Sequence, residues 1–416
     1  MPDILNIGLN HTTAPIEVRE ALALHDSQKR EIMEELMGTS HCKGIVILNT
    51  CNRCEIYLCT SKSDEAEEQL KSILERHSNI SDTLEDHLYI YEGKQSIQHL
   101  FKVSSGLDSM VKGEPQILGQ IKEAYEFSCE SDCCDTHLHE VFKRGIRTGK
   151  RARNETSLSE KAISIGSAAC ELAEGKFNDL KDANVLIVGA GDMGKAVLKN
   201  LSDQGVSDLH ISNRTLERSV SLAEEFEGIP MSLEDLDKNL HEYDLIITST
   251  AASEPIIDFE EHGSVLEKRD KNQLFIDLAV PRDVDPELKE LENVTIYDID
   301  DLDRIVEENM VEGGNEIAAI EEIIEDEYEG LQNWLEYREA APIIEELNKK
   351  AEDLRQEELH RALNKLSSVD NEEDEEKILE DFSRSLVQKI LHDPIVNLKD
   401  MDEEERFKVI SDLFDL

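Results

Sequence analysis

The sequence contains no long apolar segment. None of its hydrophobic runs approaches the ~20 residues of a membrane-spanning helix. The first residues, MPDILNIGLN, have neither the basic region nor the long apolar region of a secretory signal. We therefore expect a soluble, cytoplasmic protein with no membrane partner.

Basic and aromatic residues are also scarce. The 416-residue chain has 44 Lys and Arg against 93 Asp and Glu, a formal net charge of -49, and 5% aromatic residues. The acids are spread along the chain beside a normal 39% hydrophobic share, which argues against global disorder. A dispersed acidic surface suits concentrated salt, where the Debye length falls to about 3 Å. We expect a halophilic host; an acidic protein of an ordinary cytoplasm is the alternative.

The hydrophobic pattern divides the chain into three regions. In residues 1–155, strands and helices in the order βαββαβ predict a ferredoxin-like α+β domain followed by helices. In residues 156–302, buried strands alternate with helices around a glycine-rich turn, which predicts a parallel, doubly wound Rossmann sheet. Residues 303–416 have the pattern of helices.

Two long stretches, one near each end of the sequence, have the pattern of amphipathic helices. The first predicts a single helix from about Ile16 to Met37. The second is an apolar stripe from Ile317 to Leu335, with a further helical pattern after Pro342. Because a lone helix cannot bury such a stripe, we expect a partner, most simply a second copy of the chain.

The glycine-rich turn lies between a predicted strand and a predicted helix, the context that a GxGxxG motif requires. Its backbone N–H groups are suited to a dinucleotide pyrophosphate. The expected cofactor-binding residues of the turn are Gly189, Ala190, Gly191, Asp192, Met193 and Gly194. At the end of the second strand, Asn213, Arg214 and Thr215 stand where an NAD enzyme usually has an acid. Arg214 can pair with a 2′-phosphate, so the pattern favours NADPH.

Eight cysteines in an intracellular chain of this length do not predict a disulfide framework. Cys51 and Cys54, in TCNRCEIY, could be a metal-binding pair, a redox pair or a nucleophile with an incidental neighbour. A redox pair begins a helix, whereas Cys54 opens a predicted strand. Arg53 could stabilise a thiolate at Cys51.

A second group of metal-ligating residue types lies in CESDCCDTHLHE. It comprises Cys129, Cys133, Cys134, His137 and His139. Because neighbours at helical spacing arise by chance in such a stretch, we expect no metal here.

A nucleophilic cysteine beside a nicotinamide domain indicates a particular chemistry, in which a cysteinyl thioester forms and a hydride then reduces it to an aldehyde. Several segments, in order, resemble the motifs of the glutamyl-tRNA reductase family. These segments are GLNHTTAPIEVRE, LNTCNRCEIY, SSGLDSMVKGEPQILGQIKEAY, LIVGAGDMG, SNRT and LAVPRDVDP.

The resemblance implies a catalytic domain, an NADPH domain and a helical dimerisation domain along one long spinal helix, in a homodimer. It implies reduction of glutamyl-tRNA to glutamate-1-semialdehyde, the first step of tetrapyrrole synthesis by the five-carbon route. Cys51 is then the nucleophile, His99 an acid-base or orienting residue, and Arg53 the partner of the substrate carboxylate. The implied substrate-binding residues are Thr50, Asn52, Arg53, Ser109, Glu114, Pro115, Gln116 and Gln120. The family also suggests transfer of the aldehyde to an aminomutase.

One dense basic run stands out in the acidic chain. Its members are Lys143, Arg144, Arg147, Lys150, Arg151 and Arg153. The run could contact tRNA phosphates or pair with neighbouring acids. Two other functions stay open from the residues alone: an NADP-dependent dehydrogenase of the shikimate type, and a dimeric redox sensor that binds NADPH without turnover.

Overall fold

The computed structural model describes residues 3–78, 84–110, 112–114, 116–156, 158, 165–177, 180–189, 191–309, 314–369 and 371–399. The chain forms two compact units, Met1–Leu331 and Gln332–Leu416. No helix in the described ranges is long and apolar enough to cross a membrane.

The first sheet has four antiparallel strands in the order β2-β3-β1-β4. They are β1 (Asp3–Asn10), β2 (Cys42–Asn49), β3 (Arg53–Thr60) and β4 (Tyr89–Glu92). This order confirms the predicted ferredoxin-like topology. The strands alternate their side chains between two faces, and both faces are covered by helices, so β3 is buried along its whole length.

Three helices cover one face of the first sheet, and the first two of them differ from the prediction. The structure has α1 (Ile16–Ala21) and α2 (Asp26–Met37) in place of one helix, followed by α3 (Ser63–His77). The connection between α1 and α2 is buried, because Leu22 and Leu24 enter the core. The Asn49 amide also donates to the carbonyl of Leu22 at 2.8 Å. Two short helices that bury one core produced a pattern that matched one long helix.

Three helices cover the opposite face. They are α4 (Gly93–Ser104), α5 (Gln116–Glu130) and α6 (Thr136–Glu155). Tyr57 of β3 packs edge-on against Phe142 of α6, with ring centroids 5.3 Å apart. Asp135 caps α6 by accepting the backbone N–H groups of His137 and Leu138.

The second sheet has six parallel strands in the order β10-β9-β8-β5-β6-β7. They are β5 (Asn184–Val188), β6 (Asp208–Asn213), β7 (Ile229–Ser232), β8 (Leu245–Thr248), β9 (Gln273–Asp277) and β10 (Val294–Asp298). The accompanying helices are α7 (Ile165–Lys176), α8 (Asp192–Asp203), α9 (Leu216–Phe226), α10 (Leu233–Asn239), α11 (Phe259–Leu266) and α12 (Ile299–Asn309). This is the doubly wound order of dinucleotide-binding sheets, whose ligand crevice lies beside the first strand, here β5.

Two long helices end the described chain, α13 (Gly314–Leu366) and α14 (Glu372–Lys399). The first continues through Pro342 as one helix. Within the first compact unit, part of the predicted stripe is buried, including Ile320, Ile324 and Leu331. This part of the stripe therefore needs no second copy of the chain.

Candidate functional site

A three-residue loop, Thr50 to Asn52, joins β2 and β3 and places Cys51 at its tip. The Thr50 hydroxyl accepts the backbone N–H groups of Asn52 and Arg53, each at 3.2 Å. The Thr50 N–H donates to the Arg53 carbonyl at 2.8 Å, which closes the loop. Cys54 pairs with Leu9 and Asn49 in the sheet and is buried in the core. Cys51 therefore lies in the loop, whereas Cys54 lies inside a buried strand, as the sequence interpretation requires.

Cys51 opens onto a small pocket. The pocket is lined by Thr50, Cys51, Asn52, Arg53, Ser109, Met110, Glu114, Gln116, Ile117 and Gln120. Every predicted substrate-binding residue in the described ranges is among them. The predicted substrate-binding residue Pro115 lies outside those ranges, as does Ala190 of the predicted cofactor turn. The cavity holds about 20 Å³, room for roughly one water molecule. A group larger than a water molecule can enter only if lining side chains move.

The segment that brings Ser109 and Glu114 to the pocket is closed by two glycines. Gly106 and Gly113 have positive φ angles, +75° and +85°, and the N–H of Gly113 donates to the carbonyl of Gly106 at 3.0 Å. A Cβ on Gly106 would lie 3.0 Å from the Cα of Gly113. The Ser109 hydroxyl is buried and has no hydrogen-bond partner within the described structure. A bound substrate could supply that partner.

A buried charge network lies behind the pocket and centres on Glu55. Its carboxylate accepts hydrogen bonds from Arg53 at 2.5 Å, the Tyr57 hydroxyl at 2.5 Å and the Tyr89 hydroxyl at 2.6 Å, and lies 2.9 Å from His99 Nε2. Burial alone would raise the pKa of Glu55, but His99 and Arg53 hold it well below its usual range.

This network changes the interpretation of Arg53 and His99. The Arg53 guanidinium is already bound by Glu55 and by Asp108, whose carboxylate lies 3.1 Å away. Reading a substrate carboxylate would require Arg53 to exchange the partly exposed Asp108, not the buried Glu55. His99 does not line the pocket and packs against Tyr89 and Tyr91. Its contacts favour the orienting role over acid-base chemistry at the cysteine.

The thiol of Cys51 is protonated at neutral pH in this form. Burial, followed by the charge of Glu114, raises its pKa from 9.0 to about 11, while Arg19 and Arg53 act in the opposite direction. Burial also raises the pKa of Glu114. A nucleophilic role for this thiol would therefore require a change in its environment.

The sequence interpretation missed two residues beside this loop. The Arg19 guanidinium donates to the Cys51 carbonyl at 3.0 Å and also pairs with Asp300 of α12. His11 donates its backbone N–H to the Asn52 carbonyl at 2.9 Å. Both belong to the quoted segment GLNHTTAPIEVRE, so the motif was visible, but spacing along the chain could not show which strand loop they would contact.

Cys51 also lies where the catalytic and nucleotide-binding regions meet. It packs against a core cluster that joins Ile16 and Met110 to α7, α8 and the parallel sheet. Arg282, which follows β9, forms ion pairs with Glu17 and Glu20 of α1. The cysteine and the nucleotide sheet therefore belong to one packed body within the first compact unit.

The glycine turn follows β5 as predicted. A Cβ on Gly189, whose φ is +114°, would lie 2.4 Å from the Ser249 carbonyl oxygen, and a Cβ on Gly194 would lie 2.8 Å from the Gly189 oxygen. Gly191, by contrast, faces open space, with no atom closer than 4.0 Å to its Cβ position. These are the features of a turn that packs on one side and admits a pyrophosphate on the other. Met193 is partly buried, and Asp192 begins α8.

The second strand of this sheet, β6, ends at Asn213. The following residues, Arg214 and Thr215, are exposed, and the N–H of Thr215 donates to the Asn213 side chain at 3.4 Å. Arg214 is therefore open to solvent at the end of β6.

Three family models match successive parts of the chain. Residues 7–156 match the glutamyl-tRNA(Glu) reductase N-terminal domain, residues 171–305 match shikimate / quinate 5-dehydrogenase, and residues 319–416 match the glutamyl-tRNA(Glu) reductase dimerisation domain.

Relatives that align along almost the whole chain are named glutamyl-tRNA reductase. The chain is 39% identical to glutamyl-tRNA reductase of Desulfitobacterium hafniense, with 99% of this chain and 94% of that protein covered. It is 39% identical to the enzyme of Geobacter metallireducens, over 95% of this chain and 92% of that one. Among solved structures, glutamyl-tRNA reductase from Methanopyrus kandleri is 34% identical, covers 99% of this chain and 100% of its own, and has a TM-score of 0.48.

Proposed function

The chain belongs to the glutamyl-tRNA reductase family, and from that membership we propose how its residues carry out the reaction. The enzyme is an oxidoreductase that acts on glutamyl-tRNA in the first committed step of tetrapyrrole synthesis. Its domains comprise a ferredoxin-like catalytic domain, a Rossmann domain for a nicotinamide cofactor and a helical dimerisation domain. We assign them to residues 1–155, 156–302 and 303–416.

The nucleophile in this proposal is the Sγ atom of Cys51. It attacks the carbonyl carbon of the ester that joins glutamate to the tRNA, the carbon–oxygen bond to the ribose breaks, and the thiol proton ends on the departing ribose oxygen. The product is a glutamyl thioester on Cys51. The observation that supports this step is the position of Cys51 in a pocket lined by seven of the predicted substrate residues, namely Thr50, Asn52, Arg53, Ser109, Glu114, Gln116 and Gln120.

The chemistry that bound NADPH supplies is a hydride for the thioester carbonyl; the carbon–sulfur bond then breaks, which leaves glutamate-1-semialdehyde and a free cysteine. The chain's own contribution is to hold the loop of Cys51. Arg19 fixes the Cys51 carbonyl and reaches Asp300 at the start of α12, so it positions the nucleophile relative to the nucleotide domain. Glu55, whose carboxylate is also bound by His99, holds Arg53 at the pocket wall.

Substitution of the two cysteines tests this assignment. Cys51→Ser should lower the rate of aldehyde formation from glutamyl-tRNA by at least about a thousandfold, because an alkoxide nucleophile and an oxygen ester replace the thiolate and thioester. Cys54→Ser, inside the strand, should keep most of the activity. Aldehyde trapped in a single turnover is the measurement, and equal losses in both variants would refute the nucleophile assignment.

We propose NADPH as the specific cofactor because Arg214 is exposed at the end of β6, where the 2′-phosphate of a bound dinucleotide would lie. Arg214→Ala should raise the KM for NADPH by roughly ten- to a hundredfold, about 1.4–2.8 kcal/mol, and leave the KM for NADH nearly unchanged. Steady-state kinetics with both cofactors decides the matter. Equal changes for the two cofactors would show that Arg214 does not read the phosphate.

We further propose a homodimer and a halophilic host. Large apolar side chains are exposed in the second compact unit, as a surface for a second copy would require. They include Tyr337, Ile343, Ile344, Leu347, Leu363, Leu379, Val387 and Ile395. Sedimentation of the purified chain in concentrated KCl tests the dimer.

The labile aldehyde could be transferred to an aminomutase within a complex. Adding an aminomutase to the same sedimentation experiment tests whether such a complex forms.

A further inference from the structure

A cluster of soft ligands lies at the junction of α5 and α6, formed by residues that the reaction does not use. One ligand atom each from Cys129, Cys134 and His139 lies within 4.8 Å of the other two. All three side chains are partly exposed, so an ion could reach them from solvent. The other two residues of the five-residue group noted in the sequence lie elsewhere. Cys133 is buried in the core, and His137 lies with Cys59 and Asp135.

The backbone of the turn explains how these residues meet. The N–H of Cys133 donates to the Ser128 carbonyl at 3.0 Å, and the N–H of Asp132 donates to the Cys129 carbonyl at 3.1 Å. These are the two hydrogen bonds of a Schellman motif. Its left-handed residue is Asp132, with φ of 54°, where glycine is the usual choice. The motif reverses the chain, so Cys134 returns to the side of α5 that carries Cys129.

The third residue is fixed by the helix that follows. Asp135 caps α6, and the N–H of His139 donates to the Asp135 carbonyl at 2.9 Å in the first turn. The Tyr125 hydroxyl lies 2.7 Å from Nδ1 of His139, and the centroids of the two rings are 5.6 Å apart. The phenol therefore orients the imidazole, as the outer partners of metal-bound histidines do, or provides a fourth oxygen.

Contrary to the expectation from the sequence, we propose that Cys129, Cys134 and His139 form a binding site for a divalent cation that prefers thiolate ligands, best matched by Zn²⁺. Two thiolates and one imidazole are preferred zinc ligands, and Zn–S and Zn–N bonds of about 2.0–2.3 Å fit ligand atoms this close together. Each thiol that binds releases its proton to solvent. The fourth position belongs to water or to Tyr125.

The neighbouring cluster does not share these features. In that cluster the Cys59 thiol donates to Asp135 at 3.4 Å, and Asp135 also lies 2.8 Å from His137 Nδ1 while it caps α6. Its carboxylate is thus already occupied by protein donors. His137 provides a matched control for the proposal, because it stands two residues from His139 on the same helix.

A cation at the Cys2His site would join the end of α5 to the start of α6. The other end of α5 carries Gln116 and Gln120, which line the substrate pocket. The expected role is therefore to stabilise the helix pair that supports the pocket. The site lacks any reacting atom of the substrate, so a change in activity is not its primary readout.

The test uses the purified full-length chain, freed of metal by a chelator under reducing conditions and titrated with Co²⁺ and then Zn²⁺. We expect one equivalent of Co²⁺ to give the cobalt–thiolate charge-transfer absorption, one equivalent of Zn²⁺ to remove it, and the unfolding temperature to rise with Zn²⁺. Cys129→Ser and Cys134→Ser should each abolish the absorption. Tyr125→Phe should weaken binding by about tenfold or more.

The control variant His137→Gln should bind Co²⁺ as the natural chain does. Circular dichroism and NADPH binding check that each variant is folded; if a cysteine variant is not, His139→Gln replaces it. The proposal fails if the natural chain shows no thiolate absorption, if the absorption survives both cysteine substitutions, or if Cys129 and Cys134 are found joined as a disulfide under the same reducing conditions.

Discussion

At the scale of single residues, burial and the surrounding charges together set the pKa of the Cys51 thiol. Glu114 raises the pKa of the thiol and Arg19 and Arg53 lower it, but burial is the largest influence. Binding of a substrate that covers Glu114 or brings its own positive amino group to the pocket would favour the thiolate.

Glu114→Gln tests this balance. Because the pKa of Cys51 is raised in the folded chain, to about 11, the thiolate fraction at pH 7–9 is small and increases as the pH rises toward that value. Removing the negative charge should move the pH profile of Cys51 alkylation to lower pH and raise the rate at pH 8 by roughly three- to tenfold. Mass spectrometry of the peptide that contains Cys51 measures the rate.

The matched control is Glu123→Gln, which removes the charge of an exposed residue on α5. It should leave the profile in place. A Glu114→Gln profile identical to that of the natural chain would contradict the electrostatic role of Glu114.

At this scale the sequence was informative about which residues meet, but not about how they are paired. The motif around Cys51 and the segment from Ser109 to Gln120 could be assigned to one pocket because the resemblance covers both. The partners of Glu55 could not be predicted, since Tyr89 and His99 reach its carboxylate only when β3, β4 and α4 pack together.

At the scale of elements, α6 explains the basic run. Three of its arginines, Arg144, Arg147 and Arg151, pair with the buried carboxylate of Glu327 on α13. They hold the long helix against the catalytic domain, which is the structural alternative considered from the sequence. Lys143, Lys150 and Arg153 are exposed, and within the described chain no ion pair involves them. These three are the better candidates for tRNA phosphates.

A comparison of variants separates the two sets. Replacing Lys143, Lys150 and Arg153 together by Ala should weaken tRNA binding roughly tenfold or more. The slope of log affinity against log salt concentration should become shallower by about one for each phosphate that the variant no longer neutralises. NADPH binding should not change. Filter binding at several KCl concentrations gives both the affinity and the slope.

Arg147→Ala serves as the contrasting variant. It leaves Glu327 with fewer partners, so it should lower the unfolding temperature while the folded enzyme binds tRNA as before. The assignment is wrong if Arg147→Ala weakens tRNA binding more than the triple substitution does.

Elements with a clear period were predictable, and those set by tertiary contacts were not. The four strands of the first sheet and β5, β6, β8 and β9 of the second follow from short apolar runs, and the glycine turn follows from its motif; β7 and β10 were not predicted. The split of the predicted helix at Leu22 to His25 was not predictable, because no glycine or proline marks the break. Likewise, the buried stripe of α13 contacts its own chain, which spacing alone cannot distinguish from a partner.

At the scale of the whole molecule, the formal charge of -49 should dominate stability. At about 0.1 M salt the Debye length is ~10 Å, and acidic side chains across the surface repel one another. Raising KCl from about 0.1 M to about 3 M should therefore raise the unfolding temperature by roughly 10 °C or more, equivalent to about 3–5 kcal/mol for each domain of about 150 residues. Calorimetry across the salt series measures this change.

An uncharged osmolyte at matched water activity is the control, since it does not screen charge. An unfolding temperature that is flat or falls with KCl would contradict a halophilic adaptation and would favour an acidic protein of an ordinary cytoplasm.

The most direct test of the thioester mechanism is the covalent state of Cys51 during the reaction. The enzyme is mixed with glutamyl-tRNA in the absence of nicotinamide, quenched in acid and digested, and the peptides are weighed. We predict a glutamyl adduct on the peptide that contains Cys51, which added NADPH converts to free cysteine and glutamate-1-semialdehyde. Aldehyde formation with no adduct on Cys51, or with the adduct on another residue, would contradict the thioester mechanism.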